Sequence, residues 1–226
     1  MWEGYRVPVT LQGVTYRNRR DAGVQLASAL LEMPEASRLE APVVLGIVRG
    51  GVPVAAEVAR AVGGTLGPAF ATKVGAPGNP ELAVGALADS TPVVDPISVA
   101  RLRITEEQLE LEIRSRIEML EKKRARFASY VVDVDGRDVI VVDDGVATGH
   151  TIAAVLDSVR RAEAHAVWLA VPVGPPETIT RLAHRSDVVV CPLQPRRFMA
   201  VGAWYDRFPQ LSDEDVERTL REWAVS

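Results

Sequence analysis

Short apolar segments alternate with amphipathic ones along this chain, and this alternation constrains the fold more than any other feature of the sequence. The apolar segments have strand length and cover residues 43–48, 139–142, 166–173 and 188–191, with a weaker strand at 66–72. Apolar residues at helical spacing occupy residues 18–33, 54–62, 152–162, 178–183 and 213–223. Strands that are apolar at every position are typical of parallel sheets that are buried on both faces. We therefore predict an α/β fold, in which helices cover both faces of a twisted parallel sheet.

The chain of 226 residues is predicted to form one domain with two additions. One addition is a helical insertion at about 97–129, and the other is a C-terminal appendage at 193–226. The insertion contains a helix over 104–127, which begins with a capping box formed by Thr105 and Gln108. The apolar stripe of this helix is Ile113, Ile117, Leu120 and Phe127. We expect the charged residues of the helix to be solvated.

An acidic pair, Asp143 and Asp144, directly follows the strand 139–142. Gly145 permits a turn, and the small residues after it lead into a helix, so backbone N–H groups there can approach an anion. Two carboxylates would repel a phosphate that they touched, but they suit neutral hydroxyl groups a few ångström away. A phosphorylated ribose offers both kinds of group. The segment 139–151 therefore predicts a site for a ribose 5-phosphate.

Competing phosphate motifs do not occur in the sequence. There is no G-x-x-x-x-G-K-[ST] motif and no G-x-G-x-x-G that follows a strand. A phosphatase with an aspartyl nucleophile would need D-x-D, whereas Asp143 and Asp144 are adjacent. A simple turn with helix-capping residues accounts for Asp144 and Gly145 individually, but it does not explain the whole run.

Two other strand ends should face the same cleft, because the carboxyl ends of parallel strands meet at one edge of a sheet. Arg49-Gly50-Gly51 follows the first strand and offers bare backbone N–H groups ahead of a helix. A tight turn with a solvated Arg49 explains these residues equally well. Lys73 follows the second strand and is either a cation in the cleft or an ordinary surface lysine. Residues 73–81 hold two glycines and two prolines, so we expect neither a helix nor a central strand there.

Composition excludes several classes of function. The net charge of −4 argues against a general binder of nucleic acid or acidic membranes. The single cysteine, Cys191, excludes an intramolecular disulfide and lies in an apolar run that is typical of a buried strand. No apolar run approaches the roughly 20 residues that span a bilayer, and residues 1–13 lack the pattern of a signal peptide. We therefore expect a cytoplasmic protein.

The segment 139–151, VIVVDDGVATGHT, resembles the signature of type I phosphoribosyltransferases. Three further segments, at 46–59, 73–86 and 201–216, resemble one bacterial branch of that family. The resemblance covers most of the chain from Val43 onward and leaves about the first 16 residues unmatched.

The resemblance implies transfer of the 5-phosphoribosyl group from phosphoribosyl pyrophosphate to a ring nitrogen of a base, with release of pyrophosphate. Mg²⁺ is the implied cofactor, held by the substrate rather than directly by the protein. The implied partners are the donor and a small heterocyclic base, with no nucleic acid and no membrane. The family is commonly dimeric, so the resemblance also implies a homodimer.

The resemblance also assigns roles to residues. The implied catalytic residues are Lys73, Asp143 and Asp144, of which the two carboxylates would hold the ribose hydroxyls. The phosphoribosyl group would be bound by Asp143, Asp144, Gly145, Ala147, Thr148, Gly149, His150 and Thr151. The pyrophosphate would be bound by Arg49, Gly50, Gly51 and Lys73. A cis peptide is implied between Arg49 and Gly50, and residues 73–88 would form a flap loop over the site.

The acceptor and the activity itself leave alternatives open. Candidates for contact with a base are the loop at 172–177 and the C-terminal residues 196–209, with Arg196, Phe198, Trp204 and Tyr205. The aromatic residues among them either stack on a base or pin the C-terminal segment to the rest of the protein. A regulator that binds the donor without catalysis is the alternative to an enzyme, although such regulators usually carry a nucleic-acid module and the sequence shows no helix-turn-helix. A third alternative is an α/β protein that has lost the donor chemistry, against which the intact acidic pair argues.

Overall fold

The computed structural model describes residues 15–89 and 91–225. Its helices are α1 (Arg19–Leu31), α2 (Gly51–Val62), α3 (Pro96–Arg101), α4 (Glu106–Arg126), α5 (His150–Arg161), α6 (Pro176–Ala183) and α7 (Asp213–Ala224). Its strands are β1 (Val43–Ile47), β2 (Thr65–Ala69), β3 (Ala71–Ala76), β4 (Asn79–Ala88), β5 (Thr91–Val94), β6 (Asp138–Val142), β7 (Ala166–Ala170) and β8 (Val188–Val190). The expectation about a signal peptide concerns residues 1–13, which lie outside the described residues.

Five strands form a parallel sheet in the order β2-β1-β6-β7-β8. β1 is buried at every position, and β6 and β7 are buried at every position after the first. Such strands must be covered on both faces, because their side chains point alternately to opposite sides. The predicted α/β fold with a parallel sheet is confirmed.

Helices close a separate hydrophobic core on each face of the sheet. Val44 of β1 and Ile140 of β6 belong to a core that α1, α2 and α7 cover. The adjacent residues Val43 and Val139 belong to the opposite core, which α5 and α6 cover. The two-residue period of the strands thus determines which helix each side chain meets.

The direction in which the chain adds strands reverses between β1 and β6. From β1 the chain passes through α2 to β2 at one edge, and β6 then pairs with the other side of β1 before β7 and β8 follow outward. Ligands of open α/β sheets bind beyond the strand ends at such a reversal. The topology therefore predicts a ligand site at the loops after β1 and β6.

A smaller antiparallel sheet, β3-β4-β5, packs against α5. Residues 73–81 form the turn end of its first hairpin instead of the irregular loop expected from their prolines and glycines. Pro77 and Gly78 make the turn, where Gly78 has φ +75. The strand pairing shifts register beside Gly75, where a Cβ atom would lie 2.7 Å from Cα of Pro80. Proline is tolerated at such irregularities, because no ladder hydrogen bond is required of it there.

Lys73 is therefore not at the end of a parallel strand. β2 ends at Ala69, and Lys73 lies within β3, where it pairs with Ala86 of β4. The sequence pattern joined two strands of different sheets into one, because only Phe70 separates β2 from β3.

The segments 97–129 and 193–226, which we predicted as an insertion and an appendage, both pack against the rest of the fold through their described residues. The capping box of α4 is formed by Thr105 and Gln108 as predicted, and Leu120 and Phe127 are buried. The segment after β8 pairs with the start of the described chain through a bridge between Tyr16 and Tyr205. Among the helices in the described part of the chain, none has the length and apolar character needed to cross a membrane.

Candidate active site

A cavity of about 490 Å³ opens where the carboxyl ends of β1 and β6 meet. Four elements contribute to its wall: the loop after β1, the loop after β6, the insertion and the C-terminal segment. The lining residues are Arg19, Val48, Arg49, Gly50, Lys123, Asp144, Val201, Phe208, Gln210 and Leu211. Three of the predicted site residues, Arg49, Gly50 and Asp144, thus face one space, as the strand topology requires.

The two glycines of the β1 loop allow the acidic pair to lie directly against it. A Cβ atom on Gly50 would overlap the carboxylate of Asp144, with Cγ of that residue only 2.6 Å away. A Cβ atom on Gly51 would lie 3.0 Å from Cα of Asp143. The loop also contains a cis peptide bond, which joins Val48 and Arg49. The bond implied between Arg49 and Gly50 was therefore placed one residue too late.

The acidic pair is electrostatically strained by its surroundings. Burial raises the pKa of Asp143 well above its usual range, and the neighbouring charge of Asp144 raises it further. Burial also raises the pKa of Asp144, although the charge and hydrogen bond of Arg19 oppose that shift. Oδ1 of Asp143 accepts a hydrogen bond of 2.9 Å from the backbone N–H of Asp144. This contact holds the carboxyl group of Asp143 against the backbone of Asp144.

Arg19 is a site residue that the sequence analysis missed. Its Nε donates to Oδ2 of Asp144 over 2.7 Å, and the side chains of Arg19 and Asp144 are only 11% and 14% exposed. Nη1 of Arg19 donates to the backbone oxygen of Pro209 over 2.8 Å. The guanidinium carbon also lies 3.8 Å from the centroid of the Phe208 ring. A partly buried ion pair thus joins α1 to the acidic pair.

Lys123 is the second residue that the sequence analysis missed. We expected the charges of this helix to be solvated, but Lys123 of α4 lines the cavity together with Arg49. Its pKa is lowered chiefly by burial and also by the charge of Arg49, while Asp213 raises it. The spacing within α4 could not reveal this placement, because it depends on how the insertion packs against the sheet.

The loop after the acidic pair leads into α5 with its backbone held in place. Gly149 caps the helix in the left-handed region at φ +74, where a side chain would be strained. The carbonyl of Ala147 accepts from the Thr178 hydroxyl over 2.8 Å, and that of Thr148 accepts from Nη2 of Arg181 over 2.6 Å. These contacts hold the loop against α6. The first N–H groups of α5 have no intrahelical acceptor and can therefore bind an anion.

The remaining predicted residues lie around this helix start. Thr148 is exposed, while His150 and Thr151 are half-buried within the first turn of α5. Burial and the charge of Arg181 lower the pKa of His150, with a smaller effect from Lys73, whereas Asp95 raises it. Lys73 therefore lies near the start of α5, and it is not among the residues that line the cavity. Gly145 is buried, and a Cβ atom on it would meet Val201 at 2.6 Å.

The aromatic residues suggested for the acceptor mainly secure the C-terminal segment. Tyr205 is buried, its ring lies 5.5 Å from that of Tyr16, and its hydroxyl donates to the backbone oxygen of Asp144. Trp204 stacks on Phe198 with ring centroids 6.4 Å apart. The residues of this segment that face the cavity are instead Val201, Phe208, Gln210 and Leu211. In the loop at 172–177, Pro172 accepts from the Tyr16 hydroxyl over 2.9 Å.

The fit of a divalent cation can be judged from the carboxylates. Within residues 15–89 and 91–225, no group of three or more His, Cys, Asp or Glu residues could hold a metal ion. Asp143 and Asp144 supply the oxygen ligands that Mg²⁺ prefers, but they are too few for an all-protein site. These residues fit an ion that a phosphorylated ligand brings into the site better than one that the protein holds alone.

Comparison with known proteins agrees with this geometry. Residues 22–195 match the phosphoribosyl transferase domain family. Two curated relatives from Mycobacterium tuberculosis, MT0597 of strain CDC 1551 / Oshkosh and Rv0571c of strain ATCC 25618 / H37Rv, bear the provisional name phosphoribosyl transferase. Each is 37% identical over 221 residues, covering 92% of this chain but 48% of the relative. The chain thus spans about half the length of these relatives.

A solved structure is similar over nearly the whole chain. TT1426 from Thermus thermophilus superposes with a TM-score of 0.78 at 44% identity, covering 93% of this chain and 99% of that one. The family match includes the loop after β1 and the loop after β6, which together build the cavity. This chain belongs to the phosphoribosyl transferase domain family and has the type I phosphoribosyltransferase fold.

Proposed function

We propose that this protein transfers the 5-phosphoribosyl group from phosphoribosyl pyrophosphate to a nitrogenous base, with release of pyrophosphate. The observation that carries the proposal is the cavity at the reversal of strand order, where Asp144 faces Arg49 and Gly50. A carboxylate suits sugar hydroxyls, whereas a guanidinium group and a glycine backbone suit phosphate oxygens. The donor has both kinds of group on adjacent carbon atoms of one sugar ring.

The donor is proposed to lie across both loops. Its 5′-phosphate would bind the N–H groups and hydroxyls of residues 147–151, and its ribose hydroxyls would bind Asp143 and Asp144. Its pyrophosphate would extend toward Arg49, Gly50 and Gly51. Burial makes ionisation of both carboxyl groups unfavourable, since it raises the pKa of each. Hydrogen bonds from ribose hydroxyls would relieve that cost.

In the proposed reaction the bond between C1′ and the pyrophosphate oxygen breaks, and a bond from C1′ to a base nitrogen forms. Positive charge develops on the sugar ring, and negative charge develops on the leaving pyrophosphate. Arg49 and the loop N–H groups would stabilise the leaving group, while the acidic pair faces the electron-poor ring. Mg²⁺, bound to the donor, would neutralise part of the charge on the pyrophosphate.

The β3–β4 hairpin is the proposed flap, with Lys73 as its cation. A hairpin with a two-residue turn can move as a unit, and closure over the donor would keep water from hydrolysing it. Lys73 is exposed, and its charge acts on His150 at the start of α5. It would reach the pyrophosphate only when the hairpin closes. The homodimer that the resemblance implied stays a prediction.

The proposal is tested by turnover with a panel of purine, pyrimidine and related heterocyclic bases in the presence of the donor and Mg²⁺. Release of pyrophosphate and formation of a nucleotide are measured together, since hydrolysis of the donor would give the first without the second. We expect at least one base class to give both products. Release of pyrophosphate without formation of a nucleotide from any base in the panel would contradict the proposed transfer.

The matched variants are Asp144→Asn at the site and Asp135→Asn on the surface. Asp135 is exposed and its side chain makes no hydrogen bond or ion pair with the described residues. We expect Asp144→Asn to lower turnover by about 100-fold or more, which corresponds to about 2.7 kcal/mol of lost stabilisation of the transition state. Asp135→Asn should turn over at the wild-type rate. Equal turnover in both variants would remove Asp144 from the ribose site.

A further inference from the structure

The acidic pair is held by an arginine from outside the matched loops. Nε of Arg19 donates to Oδ2 of Asp144 over 2.7 Å, and no other side chain in residues 15–89 and 91–225 donates a hydrogen bond to this carboxylate. A carboxylate can accept several hydrogen bonds through its two oxygens. The ion pair therefore uses one oxygen of Asp144 and leaves the other available to a sugar hydroxyl.

The backbone of Arg19 is held in place as well as its guanidinium group. Asn18 caps α1 by accepting from the N–H of Asp21 over 3.0 Å, which determines where the helix begins. The C-terminal segment pairs with the residues just before α1: the N–H of Asp206 donates to the oxygen of Tyr16 over 2.8 Å, and that of Arg207 donates to the oxygen of Arg17 over 3.1 Å. The side chain of Arg19 is thus anchored by two segments that meet beside the cavity.

The C-terminal segment also grips the guanidinium group directly. Phe208 covers it at 3.8 Å, and the oxygen of Pro209 accepts from Nη1 over 2.8 Å. Nη2 has no hydrogen-bond partner among the described residues. Because Arg19 and Phe208 both line the cavity, this nitrogen is available to an oxygen atom of a ligand.

The charges around the cavity favour a cationic side chain beside the acidic pair, at the position of Arg19. The donor is a polyanion, and Asp143 and Asp144 would present two carboxylates beside it. Arg49 and Lys123 line the same cavity on the side of the β1 loop and α4, and Tyr205 donates to the backbone of Asp144 from the tail. Arg19 is the charged side chain that bonds directly to an acidic-pair carboxylate within the described residues.

We propose that Arg19 is a positioning residue of the donor site, which orients Asp144 for the ribose hydroxyls and offsets the charge of the acidic pair. This inference rests on the proposed function, because the ligand that it concerns is the phosphoribosyl donor. It also makes donor binding depend on the docked C-terminal segment, since Phe208 and Pro209 hold the guanidinium group. A lysine could supply the charge but not the several simultaneous contacts of the planar guanidinium group.

The first test is calorimetric titration of phosphoribosyl pyrophosphate with Mg²⁺ into the wild type, Arg19→Gln, Arg19→Lys and Arg20→Gln. Arg20 is the matched control on the same helix: it is 79% exposed and pairs with Glu57 over 3.0 Å, and it does not line the cavity. We expect Arg19→Gln to weaken donor binding by about 10-fold or more, Arg19→Lys to restore part of the loss, and Arg20→Gln to bind within about twofold of the wild type. Unchanged or tighter donor binding by Arg19→Gln would overturn the inference. Tighter binding would show that the Arg19 side chain blocks the donor site.

A second measurement needs no ligand and separates this inference from the proposed function. Carbon NMR of aspartate carboxyl groups follows the titration of Asp143 and Asp144 in the same variants. Loss of the Arg19 contact should raise the pKa of Asp144 in Arg19→Gln but not in Arg20→Gln, because that contact opposes the effect of burial. If the wild type fails to bind the donor, the proposed function is wrong. The NMR pH titration still tests whether Arg19 contacts Asp144. An identical Asp144 titration in Arg19→Gln and the wild type would overturn the inference. If Arg19→Gln does not fold, Arg19→Lys is judged by the same two measurements.

Discussion

Asp143 is a carboxyl group that the fold holds where its charge is unfavourable. Burial raises its pKa well above the usual range, and the charge of Asp144 adds to this effect. A carboxyl group whose pKa is higher in the folded chain than in the unfolded chain destabilises the fold once it ionises. The cost appears as pH rises from the ordinary aspartate range through the raised pKa. Function, rather than stability, therefore explains why this residue is acidic.

Asp143→Asn should stabilise the fold at neutral pH while it weakens donor binding. The amide keeps an oxygen for the N–H of Asp144 but carries no charge, so the cost of ionisation disappears. Thermal unfolding should show a gain of a few degrees at pH 7–8, since about 1 kcal/mol shifts a domain of this size by roughly 2–4 °C. The gain should shrink toward pH 4, because the raised pKa of Asp143 favours its protonated form in the folded wild type as pH falls.

The control for this variant is Asp135→Asn, which changes an exposed aspartate. Its unfolding temperature should stay within about 1 °C of the wild type at both pH values, as is usual for surface substitutions. A lower unfolding temperature for Asp143→Asn than for the wild type at pH 7–8 would show that ionisation of Asp143 does not destabilise the fold.

Single residues mark the limit of what the sequence predicts at this site. The positions of Asp143, Asp144 and Arg49 could be predicted, because they follow recognisable buried strands whose carboxyl ends share an edge. Their roles stay predictions. Arg19 could not be predicted, because its partner Asp144 is 125 positions away and no local pattern links them. Asn18 caps α1, but a cap gives the start of a helix and not what its first residue touches.

Among the helices, α4 has a role that its own sequence does not reveal. Its capping box and apolar stripe were predicted from the sequence, since both depend on neighbours three or four positions apart. Lys123 looks like any other charge on that helix, yet it lines the cavity. We expect it to contact the pyrophosphate together with Arg49.

Lys123→Met should weaken donor binding by about 10-fold or more, because a hydrogen bond to a charged group contributes about 1.5–3 kcal/mol. Methionine keeps the length of the side chain and removes the charge. The loss should be smaller at high salt, where the attraction between lysine and phosphate is screened. Donor titrations at two salt concentrations measure both effects.

Lys122→Met is the matched control, because Lys122 is exposed on the same helix and does not line the cavity. It should bind the donor as the wild type does. Equal donor affinity for the two variants would exclude Lys123 from the pyrophosphate site and restore the view that the charges of α4 are only solvated.

The β3–β4 hairpin shows a different limit at the scale of elements. Two prolines and two glycines in residues 73–81 predict an irregular loop, and in this chain they instead form a turn and a register shift inside an antiparallel sheet. The sequence places these residues correctly as breaks, but pairing with a second strand depends on non-local contacts. The packing of this sheet against α5 supplies such contacts.

At the scale of the whole molecule, the parallel sheet could be predicted from the sequence. The packing of the C-terminal segment after β8 could not. The parallel sheet follows from valine-rich strands and the helices between them, and the reversal of strand order positions the cavity. Docking of the tail depends on the bridge between Tyr16 and Tyr205, which are distant in the sequence. Burial of both tyrosine rings shows that this docking completes the hydrophobic structure above the strand ends.

The cavity is proposed to hold phosphoribosyl pyrophosphate, and direct titration of the donor with Mg²⁺ tests this most directly. The wild type and Gly136→Ala should bind with a Kd in the range of about 1 µM to 1 mM, as is usual for enzyme substrates. Gly50→Ala should not bind in that range, because its Cβ atom would overlap the Asp144 carboxylate, whereas a Cβ atom on Gly136 meets open space. Gly136→Ala should lose some stability, since Gly136 has φ +63. No binding by the wild type at millimolar donor, or equal binding by Gly50→Ala, would contradict the account.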